Sequence, residues 1–165
     1  MPKPTPPRLD AADLRILREL QADASRPLAE LAGKVGLSAT PCWRRVQRLE
    51  QRGVIRKRVA LLDRAALNAG VTVFIAIRTS HHTLDWLDGF ARAVRDIPEI
   101  VDVHRMSGEI DYLLRAHVAD MASYDALYKR LISSVPLTDV TSMFAMEELK
   151  STTEVPLSFV DAAPR

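Results

Sequence analysis

The sequence is poor in the residues that build redox, metal and membrane sites. A single cysteine, Cys42, excludes an internal disulfide framework and fits a reducing compartment. The four histidines lack the H-x3-H or C-x2-C spacing of a metal site. No apolar run approaches the roughly 20 residues that span a membrane, and the Pro-rich N-terminus lacks the apolar core of a signal peptide. We therefore expect a cytoplasmic protein without a metal or other cofactor.

The motifs of common enzyme classes are missing as well. The sequence has no G-x-S-x-G nucleophile elbow, no G-x-x-x-x-G-K phosphate loop and no G-x-G-x-x-G dinucleotide fingerprint. Acidic pairs such as Glu147-Glu148 are typical of solvated surfaces. Cys42 is either a nucleophile or redox sensor, or a small packed residue, and its place on the inward side of a helix favours packing. We expect no enzymatic activity.

The charge is divided unevenly along the 165 residues. Residues 1–64 carry fourteen Lys and Arg against seven Asp and Glu, whereas residues 65–165 carry nine against fourteen. The excess is steepest over residues 38–64, with eight basic and two acidic residues. Such asymmetry predicts that the first part binds a polyanion, and a solvated charged helix face is the alternative.

Three short helices are predicted in the first third of the chain. The first is capped by Asp10, and the second starts after Pro27 and ends at Gly36. The third starts at the N-cap Ser38, is strongly basic and stops at Gly53. This is the layout of a helix-turn-helix DNA reader, whose last helix enters the major groove.

The third helix separates an inward face from a polar one. Cys42, Val46 and Leu49 recur at helical spacing and face inward. Trp43 either stacks on DNA or packs against the first helix, and the arginines contact either bases or phosphates. The candidate DNA-contacting residues are Ser38, Thr40, Pro41, Trp43, Arg44, Arg45 and Arg48.

The stretch after these helices links them to the second half of the chain. Val54–Leu62 has the β-branched and apolar content of a strand. Asp63–Ala69 has the pattern of a short helical connector, and Gly70 follows it as a hinge. We therefore place the domain boundary near residues 56–70.

The second half alternates strand and helix patterns. The predicted strands and helices are Val71–Thr79, the helix Leu84–Ile97, Ile100–Met106, Ile110–Val118, a helix from Asp120 to about Ser134, and Thr138–Glu147. The order β-α-β-β-α-β predicts a ferredoxin-like fold, in which both helices cover one side of a four-stranded antiparallel sheet. The other side needs cover as well, so we expect face-to-face dimerisation.

The segment Ser107–Tyr112 reads S-G-E-I-D-Y between two predicted strands. It is either a polar hairpin turn, which glycine favours, or a pocket for a zwitterion. In the pocket, backbone N–H groups would bind a carboxylate and Asp111 would bind an ammonium group. The residues alone leave both interpretations open.

Two motifs resemble those of the Lrp/AsnC regulators, also called feast/famine proteins. L-S-A-T-P-C-W-R-R-V-Q-R-L-E at 37–50 is similar to their recognition-helix motif, and S-G-E-I-D-Y-L-L at 107–114 resembles the motif of their effector domain. M-E-E at 146–148 resembles their last strand. The resemblance covers about residues 9–155, with both motifs in the family's order and spacing.

Within this family, the chain resembles the branch of cysteine-responsive regulators that activate cysteine detoxification. The supporting segments are T-P-C-W at 40–43, R-T-S-H-H at 78–82, A-D-M-A-S-Y-D-A-L-Y-K-R-L at 119–131 and T-S-M-F-A-M-E at 141–147. Glu109 and Ile110 depart from the Gly-Asp-[Phe/Tyr]-Asp form that is common in the family. L-cysteine is the effector that the resemblance implies, and L-leucine is the alternative.

The resemblance implies an α+β chain with a winged-type helix-turn-helix head of three helices and a C-terminal ferredoxin-like βαββαβ (RAM) domain. It also implies homodimers joined through the strand after the head, often assembled into octamers, with amino-acid pockets between dimers. The residues implied at the effector pocket are Met106, Gly108, Glu109 and Asp111, with Thr138, Asp139 and Thr141 contributed by the other subunit.

These observations predict a sequence-specific transcriptional regulator of amino-acid metabolism that binds double-stranded DNA as a dimer. The alternatives are a global leucine-responsive or nucleoid-type architectural DNA-binding protein, and an enzyme or small-molecule binding module with a basic appendage. The predicted divisions are a flexible tail over 1–8, a helix-turn-helix domain over 9–55, a linker strand and connector over 56–70, a ferredoxin-like effector-binding and oligomerisation domain over 71–150, and a C-terminal tail over 151–165.

Overall fold

The computed structural model describes residues 8–160, which form two compact units. The first unit, here called the head, contains residues 8–60 together with residues 150–160. The second unit contains residues 61–149. The predicted flexible tail lies outside the described residues except for Arg8, which is exposed.

The head contains the three helices that the sequence predicts, α1 (Ala11–Ala22), α2 (Leu28–Lys34) and α3 (Ala39–Gln51). Asp10 caps α1 through a reciprocal capping box, in which its carboxylate accepts hydrogen bonds from two backbone N–H groups of the first turn. Gly36 has a φ of +69° in the turn between α2 and α3, a conformation that glycine adopts without strain.

The core of the head lies between the three helices. Cys42, Val46 and Leu49 are buried, which confirms the inward face predicted for α3. They pack with residues of α1 and α2, among them Ile16 and Leu31. Burial of each such aliphatic side chain contributes about 1.5–3 kcal/mol, so this contact fixes α3 on the other two helices.

The last described segment, residues 150–160, is part of the head, although we predicted a tail. Gln21 Nε2 donates to the Val155 carbonyl at 3.2 Å, and the Val155 N–H donates to Gln21 Oε1 at 2.6 Å. Leu157 and Val160 pack against the core of the head. We call residues 150–160 the C-terminal strap. For residues 151–160 the tail prediction was wrong, because the partners of the strap lie about 130 residues earlier in the sequence, and residues 161–165 lie outside the described residues.

The predicted strand over Val54–Leu62 is not present. A strand needs a neighbour for its backbone hydrogen bonds, and within residues 8–160 no strand pairs with this segment. The N–H groups of Val54 and Ile55 instead donate to the carbonyl of Leu49 at 2.9 and 3.2 Å. The predicted helical connector over Asp63–Ala69 is a series of turns closed by short-range bonds, such as Leu67 N–H to the Arg64 carbonyl at 3.2 Å.

The second unit has the predicted β-α-β-β-α-β order. Its elements are β1 (Val71–Arg78), α4 (Leu84–Arg95), β2 (Ile100–Arg105), β3 (Tyr112–Val118), α5 (Met121–Ser134) and β4 (Asp139–Phe144). The strands pair antiparallel in the order β2-β3-β1-β4. The prediction of a ferredoxin-like sheet is therefore confirmed, and β1 lies at its centre beside β3 and β4.

Alternate residues of the strands face α4 and α5. Ile75, Leu114 and other side chains of this face are fully buried with Phe90 and Leu127 from the two helices. The opposite face, here called the open sheet face, contains partly exposed residues. They include Phe74, Leu113, Arg115 and Met143. The predicted dimerisation through this face stays a prediction.

The two ends of the second unit lie next to each other. Arg64 Nη2 donates to Glu148 Oε2 at 2.6 Å, and its Nη1 donates to the Thr72 hydroxyl at 2.8 Å. One arginine therefore connects the entering segment, the central strand and the leaving segment.

We expect Leu157→Ala to destabilise the head, because this side chain covers part of its core. Loss of a half-buried leucine should cost about 1–2 kcal/mol and lower Tm by several degrees in a thermal unfolding scan. Phe159→Ala is the matched control, since Phe159 is 87% exposed in the same segment. Equal Tm values for both variants would show that the strap does not stabilise the head.

Candidate nucleic-acid interface and effector site

The α3 helix presents a basic surface at the second helix of the helix-turn-helix. Ser38 has the extended backbone of an N-cap, and Thr40 and Pro41 are exposed in the first turn. Arg44 is also exposed, and no carboxylate pairs with it among residues 8–160. These residues lie on the side of the helix that faces away from the head's core.

Arg45 and Arg48 bind a buried carboxylate on α1. Asp13 is only 1% exposed. Its Oδ1 accepts from Arg45 Nη1 at 2.8 Å and from Arg48 Nη2 at 2.9 Å. Arg45 Nη1 also donates to Asp10 Oδ2 at 2.6 Å. These ion pairs hold α3 against the start of α1. They therefore give both arginines a structural role in the head.

The electrostatics of this cluster favour the charged forms of Asp10 and Arg45. Burial by itself would raise the pKa of Asp10, but hydrogen bonds from the Asp13 N–H, Arg45 and the Ala12 N–H outweigh it, so the pKa of Asp10 lies below its ordinary value. The hydrogen bond to Asp10 raises the pKa of Arg45. Asp10 thus combines the cap of α1 with an ion pair to α3.

Trp43 and Cys42 of α3 differ in their exposure to solvent. Trp43 is 51% exposed and does not belong to the core of the head, so the interpretation that it packs against the first helix is wrong. Cys42 is fully buried, and burial raises the pKa of its thiol, which disfavours the reactive thiolate. Its role as a packed residue agrees with the inward face of the helix.

The turn between β2 and β3 is held against the end of β1 by Asp111. The Asp111 carboxylate accepts from the Thr79 N–H at 2.8 Å, and the Asp111 N–H donates to the Ile77 carbonyl at 2.9 Å. The Met106 N–H closes the turn by donating to the Asp111 carbonyl at 2.8 Å. The side chain of Asp111 therefore already has a backbone partner in this structure.

The tip of this turn is open to solvent. Gly108 has a φ of +131°, a conformation that favours glycine. Glu109 is almost fully exposed, and its carboxylate lies 3.8 Å from the guanidinium of Arg78 at the end of β1. The two interpretations of this segment, a hairpin turn and a ligand site, are compatible. The turn leaves the charged groups of Glu109 and Arg78, which have opposite signs, at its tip.

The three polar residues predicted on the last strand lie on the other side of β1. The Thr138 hydroxyl accepts from the Ser80 N–H at 2.9 Å. Asp139 is paired in register with Arg78, and Thr141 with Ala76. In one chain, the turn at 106–111 and these residues thus flank the end of β1 from opposite sides.

Sequence reasoning missed the contribution of β1 to this region. Arg78, Thr79 and Ser80 join the two predicted groups through their backbone and, for Arg78, its side chain. Only the register of three paired strands brings them there, and the sequence has no local signal of register.

Within residues 8–160, no cluster of three or more His, Cys, Asp or Glu could hold a metal ion. In the same part of the chain, no helix is both long enough and apolar enough to cross a membrane.

Comparison with known proteins gives matches to both units. The family model of the AsnC-type helix-turn-helix domain matches residues 9–50, and the family model of the Lrp/AsnC ligand binding domain matches residues 72–155. Over 150 residues, the chain is 51% identical to the glutamate uptake regulatory protein of Zymomonas mobilis, covering 91% of this chain and 92% of that protein. It is 48% identical to the DNA-binding transcriptional activator DecR of Escherichia coli, covering 90% and 99%.

A solved structure has the same fold over nearly the whole chain. The crystal structure of a transcriptional regulator from Neisseria meningitidis in complex with L-Met matches with a TM-score of 0.87 and 36% sequence identity. The match covers 91% of this chain and 97% of that one.

We expect Arg44→Ala and Arg45→Ala to have different effects. Arg44→Ala should weaken binding to duplex DNA by about 1 kcal/mol or more, roughly fivefold, and leave Tm unchanged. Arg45→Ala should destabilise the head by about 1–3 kcal/mol, because it removes one partner of the buried Asp13 carboxylate. Fluorescence anisotropy and urea unfolding measure the two quantities. Unchanged DNA affinity in Arg44→Ala would contradict its role as a contact.

We also expect the head to lose stability in acid. Because the folded pKa of Asp10 is lowered, its contribution is present above the ordinary value of 3.8 and is lost as the pH falls through the folded pKa. Asp10→Asn keeps a good N-cap but cannot titrate, so it is the matched control. Urea unfolding from pH 7 to pH 3 should show a smaller loss in this variant. If both proteins showed identical pH dependence, titration of Asp10 would not be a cause of the loss of stability in acid.

Proposed function

Because the chain belongs to the Lrp/AsnC family of DNA-binding transcriptional regulators, with an AsnC-type helix-turn-helix and an Lrp/AsnC ligand binding domain, we propose that it switches transcription in response to one small amino acid. The head reads a pseudo-palindromic site as a homodimer, and the second unit binds the effector. The observation that carries this proposal is the basic helix α3, which ion pairs with the buried Asp13 fix on α1. The chain also contains a second unit with a charged turn.

The DNA-reading part of the proposal rests on the different roles of the residues of α3: some hold the helix on α1, and others are exposed. Arg45 and Arg48 hold the helix in place through Asp13. Arg44, Trp43 and the first turn are exposed and available to base edges and phosphates. A helix held rigidly by its own arginines positions the remaining side chains with little loss of entropy on binding.

The effector part rests on charge. An amino-acid effector is a zwitterion, so its site needs both an anionic group and a donor for its carboxylate. The turn at 106–111 offers Glu109 and Asp111, and Arg78 lies beside it at 3.8 Å from Glu109. We propose that Met106, Gly108, Glu109 and Asp111 contact the effector, with Thr138, Asp139 and Thr141 contributed by a second subunit.

We propose L-cysteine as the effector and activation of cysteine detoxification as the output. The support is the resemblance of residues 40–43, 78–82, 119–131 and 141–147 to the cysteine-responsive branch. The Escherichia coli relative is named as a transcriptional activator, and the Zymomonas mobilis relative as a regulator of glutamate uptake. The Neisseria meningitidis structure contains L-Met. L-glutamate, L-methionine and L-leucine are therefore the competing effectors to test.

Assembly is part of the same proposal. The open sheet face contains apolar side chains such as Phe74, Leu113 and Met143 next to the Asp102–Arg115 ion pair. Burial of this face against a second copy would remove apolar surface from water, which favours a homodimer and, through further contacts, an octamer. A regulator of this kind acts on the chromosome in the cytoplasm.

The mechanism that we propose is linkage. The effector binds one arrangement of the assembly more tightly, and that arrangement has a different affinity for DNA. Typical coupling free energies are about 1–3 kcal/mol, so the effector should change DNA affinity about 5- to 150-fold.

The test is fluorescence anisotropy of the full chain on DNA from upstream of its own and adjacent genes, with random DNA as control, at fixed salt. We expect preference for the upstream fragment and a shift in affinity with L-cysteine. A shift in affinity with L-glutamate, L-methionine or L-leucine instead would identify that amino acid as the effector and would still support the function as a regulator. Equal binding to both DNAs without any shift would favour an architectural protein, and absence of DNA binding would overturn the proposal.

Asp111→Asn separates effector binding from folding in the same assay. The asparagine keeps an oxygen that accepts the Thr79 N–H but loses the negative charge. DNA binding without effector should therefore persist, whereas the response to the amino acid should disappear. A full response in Asp111→Asn would exclude its carboxylate as the ammonium ligand.

A further inference from the structure

Three consecutive basic residues follow α3 and have no part in the site described above. Arg56, Lys57 and Arg58 are all exposed, and the segment has no regular secondary structure. We call these three residues the basic arm. The arm belongs to the head, which ends its first stretch at Ala60.

The start of the arm is fixed to the end of α3. Gly53, with a φ of +69°, reverses the chain after the helix. The N–H groups of Val54 and Ile55 then donate to the Leu49 carbonyl, and both side chains pack against the core of the head. The three cations therefore begin at a defined point beside the last turn of α3.

The end of the arm is also tied to the helix. Arg58 Nη2 lies 3.0 Å from Glu50 Oε1, and Glu50 is the sole acidic residue of α3. Among residues 8–160, no carboxylate pairs with Arg56 or Lys57. The arm thus presents two uncompensated cations next to the helix that reads DNA.

Further exposed cations lie in the same unit as the arm. Arg44 on α3 and Arg52 at its C-cap are exposed, and no carboxylate pairs with either of them among residues 8–160. The backbone of a duplex presents closely spaced phosphates, so separate exposed cations can each bind one.

We propose that the basic arm is a second DNA contact of the head, in which Arg56 and Lys57 bind backbone phosphates that flank the site read by α3. This inference rests on the proposed DNA-reading function of the head. Contacts to backbone phosphates position a protein on the duplex but carry no sequence information. The arm therefore adds affinity without adding sequence preference.

Phosphate contacts have a quantitative signature in the salt dependence of binding. Each contact contributes about 0.9 to the slope of log K against log salt on duplex DNA. Loss of Arg56 and Lys57 should lower this slope by about 1.8, so that a fourfold rise in salt weakens binding about twelvefold less than in the wild type. The ratio of affinities for upstream and random DNA should stay the same.

The experiment compares the full chain with the double variant Arg56→Gln/Lys57→Gln by anisotropy, on the upstream fragment and on random duplex, from 50 to 200 mM salt. The matched control is Arg92→Gln/Arg95→Gln, which removes two exposed charges from α4 in the other unit. Arg56→Lys/Lys57→Arg keeps both charges and should keep the wild-type slope. Light scattering follows the oligomeric state of every variant.

The outcomes separate the arm from the function of the head. An unchanged slope in Arg56→Gln/Lys57→Gln, or an equal loss of slope in the α4 control, overturns the proposed contact. If the wild type still prefers upstream DNA, the proposed function as a regulator stands. A loss of slope together with dissociation of the oligomer also overturns it, because the segment would then act through assembly. A loss of slope specific to the arm, in a wild type that binds both DNAs equally, supports the contact and contradicts sequence-specific regulation. Absence of wild-type binding to either duplex overturns both.

Discussion

The buried carboxylate of Asp13 is the interaction on which the DNA-reading head depends. It lies on α1 at 1% exposure and accepts hydrogen bonds from two arginines of α3. Removing one of these partners should cost about 1–3 kcal/mol, which is a large share of the stability of a small domain. The same pairing orients α3 about its own axis, because Arg45 and Arg48 must face α1. Arg44 and Trp43 are then left on the exposed side, so the ion pairs, together with the buried face of α3, contribute both to the stability of the head and to the composition of its reading surface.

In the second unit, the corresponding constraint is the register of three strands. The central strand β1 is paired with β3 on one side and with β4 on the other, and its last residues lie between the turn at 106–111 and the start of β4. A shift of one residue would turn every side chain of a strand to the opposite face. The position of Asp111 against the Thr79 N–H therefore depends on the whole sheet. An effector that moved the turn would act on the strand that joins both halves of the sheet.

Much of the fold could be predicted from local patterns. Helical spacing predicted the inward face of α3, and the order of strands and helices predicted the ferredoxin-like sheet, because both depend on residues that are close in sequence. The errors concern distant partners. Val54–Leu62 has strand composition, but no strand pairs with it in the described part of one chain, and its pairing across a homodimer stays a prediction. The ion pairs of Arg45 and Arg48 with α1, and the approach of Arg78 to Glu109, involve groups that only the tertiary structure brings together.

The C-terminal strap makes the second unit an insertion within the head, since residues 150–160 complete a core that begins at Leu9. A ribosome synthesises the three helices before the second unit and the strap after it. The head therefore lacks Leu157 until residues 61–149 have left the ribosome, and the ion pair between Arg64 and Glu148 then brings the two connecting segments together. That contact shortens the loop that is closed when the strap packs on the head. It therefore reduces the entropic cost of closing that loop. The core of the head is thus completed only after the second unit has been synthesised, so a chain that ends before Leu157 lacks part of that core.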